Sequence, residues 1–187
     1  MAKGSNQLRI IGGEWRGRKL RFPDVPNLRP TPDRVRETIF NWLTPVIHGA
    51  HCLDLFAGSG ALGLEALSRG AASTLFIDSH KKATGAIQAH IDLLKVNDRA
   101  SVIQMESEKF LKTEAQKFDL VFLDPPYQLD LMEKVIPQLE QYGWLADEAM
   151  LYLEIEKRQS LPVLPANWQQ LKEKTAGEVN YYLFKRA

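Results

Sequence analysis

Apolar runs and amphipathic segments alternate along the chain from residue 51 onward. Short apolar runs predict strands at about 51–56, 73–78, 100–104, 118–124 and 149–155. Segments with helical spacing of apolar residues lie between them, at about 61–69, 80–96, 106–116 and 130–141. This alternation is typical of βαβ units, in which helices cover both faces of a parallel sheet. We therefore predict an α/β fold.

The two ends of the chain break this alternation. The carboxyl-terminal stretch WQQLKEKTAGEVNYYLFKRA predicts two strands around Ala176–Gly177, which would form an antiparallel hairpin at the edge of the sheet. Near the amino terminus, LRIIGGEWRGRKLRF predicts a β-hairpin around Gly12–Gly13 and Gly17. We expect residues 1–30 to form this hairpin and a connector, and residues 31–187 to form the main domain.

The main domain should open with a helix. The segment TPDRVRETIFNWL has its apolar residues on one helical face, which predicts a helix at about 32–44. Thr31 can cap this helix, Pro32 suits its first position and Pro45 would end it.

Composition narrows the class of protein. The chain has 187 residues, 44% of them hydrophobic and 25% charged, which is ordinary for one globular domain. With one cysteine, Cys52, no internal disulfide can form, which fits a reducing cytoplasm. No run reaches the ~18 apolar residues that a membrane span needs, and we expect a cytoplasmic monomer. Cys52 opens an apolar run and is interpreted as a packing residue. The four histidines show no metal-ligand spacing, and we expect no metal site.

Charge is distributed unevenly along the chain. Residues 1–36 carry nine basic and three acidic residues, a net +6, which leaves −5 for the rest of a chain whose net charge is +1. A basic arm on a mildly acidic body suggests a polyanionic partner, although a solvated surface would also account for it. The candidate RNA-binding residues are Arg9, Arg16, Arg18, Arg29, Arg34 and Arg36.

A glycine-rich turn follows the first strand of the alternating region. In CLDLFAGSGALGLEAL, Gly58, Gly60 and Gly63 have the G-x-G-x-x-G spacing between a strand and a helix, which is typical of a nucleotide site. Asp78 ends the next strand, where an acid can bond ribose hydroxyls. NAD would satisfy both features. Asp54, however, would repel a pyrophosphate and suits a cationic ligand such as S-adenosylmethionine.

A second motif ends the fourth predicted strand. In VFLDPPYQ, Asp124 is followed by Pro125, Pro126 and Tyr127. Prolines have a fixed φ and no N–H, so this loop would be rigid and its carbonyls could only accept hydrogen bonds. Acceptors beside an aromatic ring could hold a planar molecule by an exocyclic amino group and direct the nitrogen toward a methyl donor.

These motifs resemble those of known families. DPPY is similar to the [DNS]-PP-[YFW] signature of amino-methyltransferases that use S-adenosylmethionine, and DLFAGSGALG resembles their cofactor motif. RIIGGEWRGRKL, RPTPDRVRETIFNWL and YGWLADEAMLYLE resemble the RsmD family, bacterial methyltransferases of guanine N2 in 16S ribosomal RNA. This resemblance, over nearly the whole chain, implies a Rossmann-like class I methyltransferase. Such a fold has a seven-stranded, mostly parallel sheet, an antiparallel C-terminal hairpin and a small N-terminal β-hairpin extension.

The resemblance also implies a substrate and site residues. The substrate would be guanine 966 of 16S ribosomal RNA, within small-subunit ribonucleoprotein particles. Asp124, Pro125 and Tyr127 would hold the guanine. The cofactor would contact Asp54, Phe56, Gly58, Gly60, Asp78, Glu106 and Ser107, with the choice between the last two for the adenine left open.

Other classes of protein share parts of this pattern. An NAD-dependent oxidoreductase shares the glycine-rich turn but leaves Asp54 and DPPY without a role. A DNA adenine-N6 methyltransferase would need a target-recognition domain, and protein glutamine-N5 methyltransferases more typically carry asparagine at the position of Asp124. An RNA-binding protein without catalytic activity would explain the basic arm alone.

Overall fold

The computed structural model of the chain describes residues 6–23, 30–126 and 129–187. Its elements in chain order are β1 (Gln7–Arg9), β2 (Lys19–Arg21), α1 (Asp33–Leu43), β3 (His51–Asp54), α2 (Ala61–Ser68), β4 (Ser73–Asp78), α3 (Lys81–Leu94), β5 (Ala100–Gln104), α4 (Ser107–Phe110), β6 (Phe118–Leu123), α5 (Leu129–Gln141), β7 (Leu145–Glu156), β8 (Trp168–Ala176) and β9 (Val179–Arg186).

The described strands from β3 to β9 form one sheet of seven, in the order β5-β4-β3-β6-β7-β9-β8. The five strands β3 to β7 pair in parallel, whereas β9 runs antiparallel to both β7 and β8. The predicted α/β architecture, with a mostly parallel sheet and an antiparallel hairpin at its edge, is confirmed.

Side-chain alternation divides the core between the two faces of this sheet. Leu53, Val121 and Leu151 point to the face covered by α4 and α5. Cys52, the neighbouring residue on β3, points to the other face, which is covered by α1 and α2. Buried in this way, Cys52 is a packing residue, as its position in an apolar run suggested.

The N-terminal hairpin packs onto the helices of the sheet. Strands β1 and β2 pair antiparallel, and Leu8, Leu20 and Trp15 join a buried cluster with residues of α2 and α3. Trp15 is 4% exposed, which makes it a packing residue of the hairpin rather than a stacking surface.

Three local predictions need correction. Helix α4 ends at Phe110 instead of about residue 116, because the polar, exposed stretch that follows offers no apolar face to pack. Strand β7 begins at Leu145 instead of about 149, with a register shift opposite β6 and a positive φ at Glu148. Thr31 does not cap α1: Pro32 is the N-cap, and no side chain caps the helix.

Candidate active site at the carboxyl ends of the parallel strands

Four neighbouring strands bring carboxylates to one edge of the sheet. Asp78 ends β4, Asp54 ends β3, Asp124 follows β6, and Glu154 lies near the end of β7. These strands are parallel and adjacent in the order β4-β3-β6-β7, so their carboxyl ends meet at the same edge. In open α/β sheets, ligands bind at this edge.

The glycine-rich turn connects β3 to α2 in conformations that need glycine. Gly58 and Gly60 have φ of +54° and +78°, in the left-handed region. A Cβ at Gly63 would lie 2.2 Å from the ring of Phe76, so this glycine lets α2 pack closely on β4. Gly58 and Gly60 therefore form the tight turn that the spacing predicts, and Gly63 allows the helix that follows to pack against the sheet.

Two carboxylates accept hydrogen bonds from backbone N–H groups of this turn and of the start of α2. Asp54 accepts a hydrogen bond from the N–H of Gly63 at 3.1 Å, and Asp78 accepts one from the N–H of Gly58 at 2.8 Å. The second oxygen of Asp78 accepts the N–H of His80 at 2.7 Å. Each oxygen of Asp78 keeps a further lone pair, which a ribose hydroxyl could use.

Asp54 is buried without a compensating cation. It is 2% exposed, and no basic side chain among the described residues forms a salt bridge with it. Burial raises its pKa to about 7, the hydrogen bond from Gly63 opposes the rise, and the charge of Asp78 adds to it. A site of this kind favours a cationic ligand and disfavours a pyrophosphate, so the residues present fit S-adenosylmethionine.

Asp124 lies beside Thr31 and Glu154. The hydroxyl of Thr31 donates to Asp124 Oδ2 at 3.5 Å, which is the role this residue takes in place of the predicted cap. The pKa of Asp124 is raised well above its usual range, first by burial and then by the charges of Glu154 and Asp54. Three acids thus face the same space, and each is easier to ionise when a cation or a hydrogen-bond donor arrives.

Glu154 is a site residue that the sequence analysis missed. Burial raises its pKa, against a hydrogen bond of 2.8 Å from the hydroxyl of Tyr152. Tyr152 and Glu154 both lie within the strand predicted at about 149–155, and the apolar pattern of that strand gives neither residue a role in a site. The only available signal was an acid within LYLEIE at the expected carboxyl end of that strand.

The remaining predicted cofactor residues lie near the same edge. Phe56 is half-buried and packs against the core beside the turn. Ser107 is buried at the start of α4, whereas Glu106 is exposed and pairs with Lys109 at 2.9 Å. Of the residues predicted to hold the guanine with Asp124, Pro125 is half-buried next to it, and Tyr127 lies outside the described residues.

Four of the six predicted RNA-binding arginines lie at the surface. Arg9, Arg16, Arg18 and Arg34 are exposed, and Arg9 pairs with Asp33 at 2.8 Å. Arg29 lies outside the described residues.

Arg36 does not fit the prediction that it contacts RNA. It is 1% exposed, and its guanidinium bonds Asp33 at 2.6 Å, Glu65 at 3.3 Å and the carbonyl of Thr31 at 3.0 Å. Burial lowers its pKa, and the two carboxylates oppose that change. Its charge is thus used inside the protein and cannot reach a phosphate.

The same buried network fastens the hairpin to α2. Glu65 is fully buried and accepts the N–H groups of Ile11 and Gly12 at 2.9 and 2.8 Å, as well as bonds from Arg36 and Arg69. Gly13 has a φ of +77°, and a Cβ there would overlap the carbonyl of Ser68. The glycine pair therefore allows the hairpin loop to lie directly against the end of α2.

No group of three or more His, Cys, Asp or Glu residues in the described part of the chain could hold a metal ion. The helices in that part of the chain are all too short or too polar to cross a membrane.

Comparisons with known proteins agree with this geometry. The model of a family described as conserved hypothetical protein 95 matches residues 8–185. The ribosomal RNA small subunit methyltransferase D of Escherichia coli K12 is 52% identical over 183 residues, covering 98% of this chain and 92% of that protein. The Haemophilus influenzae protein of the same name is 47% identical over 187 residues, covering 98% and 95%.

A solved structure extends the similarity to three dimensions. The Escherichia coli protein yhhF superposes with a TM-score of 0.91 at 49% sequence identity. The match covers 96% of this chain and 98% of that one, so the hairpin and the main domain are both included.

Proposed function

Because this chain belongs to the ribosomal RNA small subunit methyltransferase D (RsmD) family, we propose that it methylates the exocyclic N2 of one guanine in 16S ribosomal RNA. The methyl donor is S-adenosylmethionine. Family membership supports the coarser activity, methylation of small-subunit ribosomal RNA. The N2 of guanine as the acceptor is argued from the chemistry of the site, and the position, guanine 966, is proposed from the family resemblance.

One observation carries this proposal: the acceptor-only groups that converge at the sheet edge. Asp54, Asp124 and Glu154 lack a cationic partner among the described residues, and the two prolines after Asp124 have no N–H to offer. Such a site attracts a cation and an amino group. The sulfonium and ammonium of S-adenosylmethionine supply the first, and the N2 amine of guanine supplies the second.

The residues of the chain then perform three tasks. The turn at Gly58 and Gly60 brings the backbone close to the cofactor, Asp78 takes its ribose, and Asp54 faces its positive charges. Phe56 and the Glu106–Ser107 segment line the remaining cofactor surface. S-adenosylmethionine, when bound, supplies an electrophilic methyl group whose sulfur departs as a neutral thioether.

At the base, Asp124 accepts a hydrogen bond from the N2 amine and keeps the nitrogen lone pair directed at the methyl group. As the carbon–nitrogen bond forms and the carbon–sulfur bond breaks, positive charge passes to nitrogen. Asp124 or water takes the proton that nitrogen loses, and neither a covalent enzyme intermediate nor a metal is required. We assign Pro125 and Tyr127 to holding the guanine ring as well.

The N-terminal extension, residues 1–30, would grip the RNA. The exposed arginines of the hairpin and of α1 offer positive charge to RNA phosphates, and Arg9 pairs with Asp33, two residues from the Thr31 that contacts Asp124. We assign this role to Arg9, Arg16, Arg18, Arg29 and Arg34, with the protein acting as a monomer on a small-subunit particle.

Mass mapping of ribosomal RNA nucleosides tests the reaction. A strain lacking this gene should lose one N2-methylguanine, and the wild-type gene should restore it.

Asp124→Ala should reduce the rate of methyl transfer by roughly 10²–10³, because one preorganised polar contact is lost. Asp124→Asn should be milder, since an amide oxygen can still accept. As the matched control, Asp147→Ala, at an 89% exposed side chain, should behave as wild type. An unchanged N2-methylguanine content in the deletion strain would exclude the proposed reaction.

Salt-dependent binding tests the basic arm. The logarithm of RNA affinity should fall with the logarithm of salt concentration by roughly 0.7–0.9 per phosphate contacted. The double variant Arg16→Glu and Arg18→Glu should flatten this slope and stop RNA methylation, while cofactor affinity stays unchanged. Wild-type turnover in this variant would mean that RNA docks elsewhere.

A further inference from the structure

Glu154 lies beside Asp124, on the last of the four adjacent strands that bring carboxylates to the candidate site. Strands β6 and β7 pair in parallel with Phe122 opposite Tyr152 and Leu123 opposite Leu153, so the next residues along are Asp124 and Glu154. Neighbouring strands are about 4.8 Å apart, and residues in register project to the same face. The charge of Glu154 also contributes to the raised pKa of Asp124, as expected for close carboxylates.

Tyr152 fixes the orientation of Glu154. The tyrosine is fully buried and packs against Phe122 and Tyr181 at ring-centroid distances of 6.3 and 6.4 Å. Its hydroxyl donates to Glu154 Oε2 at 2.8 Å. The other oxygen, Oε1, accepts no hydrogen bond within the described part of the chain and is not sealed from solvent. One oxygen is therefore held, and the other keeps its lone pairs available to a ligand.

The carboxylate of Glu154 does little to stabilise the fold. A buried acid without a cation costs stability, and no described basic side chain forms a salt bridge with Glu154. A ligand with a hydrogen-bond donor in this position would compensate for that cost.

The Watson–Crick edge of guanine has two neighbouring donors, N1–H and the N2 amine. Adenine and cytosine instead place a ring nitrogen with a lone pair next to their amino group. A carboxylate accepts a hydrogen bond from N1–H and repels a lone pair in its place. Two adjacent carboxylates thus match guanine and oppose the other amino-bearing bases.

We propose that Glu154 accepts the hydrogen bond from N1–H of the target guanine while Asp124 accepts one from N2, which makes Glu154 the residue that selects guanine. This inference rests on the proposed function and adds the determinant of base specificity to it. Tyr152 is then a positioning residue, acting through Glu154.

A base analogue tests this assignment. Substrate RNA is prepared with guanine or with 2,6-diaminopurine at the target position. The analogue keeps the N2 amine, replaces N1–H by a lone pair and carries an amino group in place of O6, so the change in preference between wild type and variant, rather than the wild-type preference alone, reports on Glu154. Wild type should prefer guanine in kcat/KM by roughly 10²-fold or more, since a site built for a donor rejects an analogue that lacks it. Glu154→Gln should narrow this preference at least tenfold, because an amide can rotate to donate to the lone pair.

Two further variants make the outcome specific. Glu148→Gln, at an exposed position of the same strand, should keep the wild-type preference. Tyr152→Phe should narrow the preference several-fold at unchanged cofactor affinity, and it provides the test if Glu154→Gln does not fold.

The outcomes separate the two proposals. A wild-type enzyme that leaves the guanine RNA unmethylated would overturn the proposed function together with this inference. An active wild type whose preference is the same in Glu154→Gln, with both substrates slowed equally, would overturn the role of Glu154 alone.

Discussion

Asparagine in place of Asp54 should stabilise the cofactor-free protein, and by an amount that depends on pH. The carboxyl is 2% exposed and has a pKa of about 7, against 3.8 for an ordinary aspartate. Between these values the folded protein holds a proton that the unfolded chain has released. The contribution of Asp54 to the free energy of unfolding therefore falls as pH rises through this window and stops falling above about 7. Asparagine has no proton to lose.

The size of the effect follows from the two pKa values. Their separation corresponds to about 4 kcal/mol at most. For a chain of this length, 1 kcal/mol shifts the melting temperature by roughly 2–4 °C. The difference in melting temperature between Asp54→Asn and wild type should therefore be larger at pH 8 than at pH 4 by on the order of 10 °C. Loss of the Asp54 charge also eases ionisation of Asp124, which acts in the same direction.

Urea or thermal unfolding at pH 4, 6 and 8, at constant ionic strength and without cofactor, measures this difference. Asp98→Asn, at an exposed aspartate, is the matched control and should follow the wild type. Any destabilisation caused by burying the new amide is the same at every pH. The test is therefore how the stability difference between variant and wild type changes with pH, and not its absolute value. A stability difference that is constant with pH, or that grows toward acid, would refute the argument that burial of Asp54 opposes its ionisation.

Two further substitutions test the packing and the buried charges. Gly63→Ala should destabilise the protein by roughly 1–3 kcal/mol in a denaturant melt, because its Cβ would lie 2.2 Å from the ring of Phe76, whereas Gly85→Ala, with open space around it, should be neutral or stabilising. Arg36→Met should lower the free energy of unfolding by about 3–5 kcal/mol, because the buried carboxylate of Glu65 loses a partner, but it should leave the salt dependence of RNA binding unchanged. Arg34→Met, at an exposed position, should leave stability unchanged and reduce the salt dependence. A reduced salt dependence in Arg36→Met would instead support the predicted contact of Arg36 with RNA.

Local signals in the sequence were sufficient for the order of elements. The apolar runs of β3, β4 and β6 are short and bounded by turns, and the observed strands begin at the predicted residues. Gly58, Gly60 and Asp124 could be proposed because each ends or follows a strand, and the parallel arrangement then brings such positions to one edge.

Long-range pairing was not accessible in this way. Charge counting treats every arginine of the first 36 residues alike, but Arg36 lies on the inner face of α1 and meets Glu65, 29 positions away. Glu154 was missed for a related reason, since its role depends on the register between β6 and β7. Element boundaries set by weak packing, at α4 and β7, were also misplaced.

The contacts of α2 relate the RNA-binding arm to the cofactor turn. This helix starts at Gly60, in the glycine-rich turn, and its last residue, Ser68, accepts the N–H of Glu14 at 2.7 Å and donates to the carbonyl of Gly12 at 2.6 Å. Eight residues at 1.5 Å each make it about 12 Å long. The buried carboxylate of Glu65, on the same helix, accepts hydrogen bonds from two further N–H groups of the hairpin. The hairpin is therefore held at a fixed distance from the turn, which is the property needed if phosphates gripped at one end are to place a base at the other.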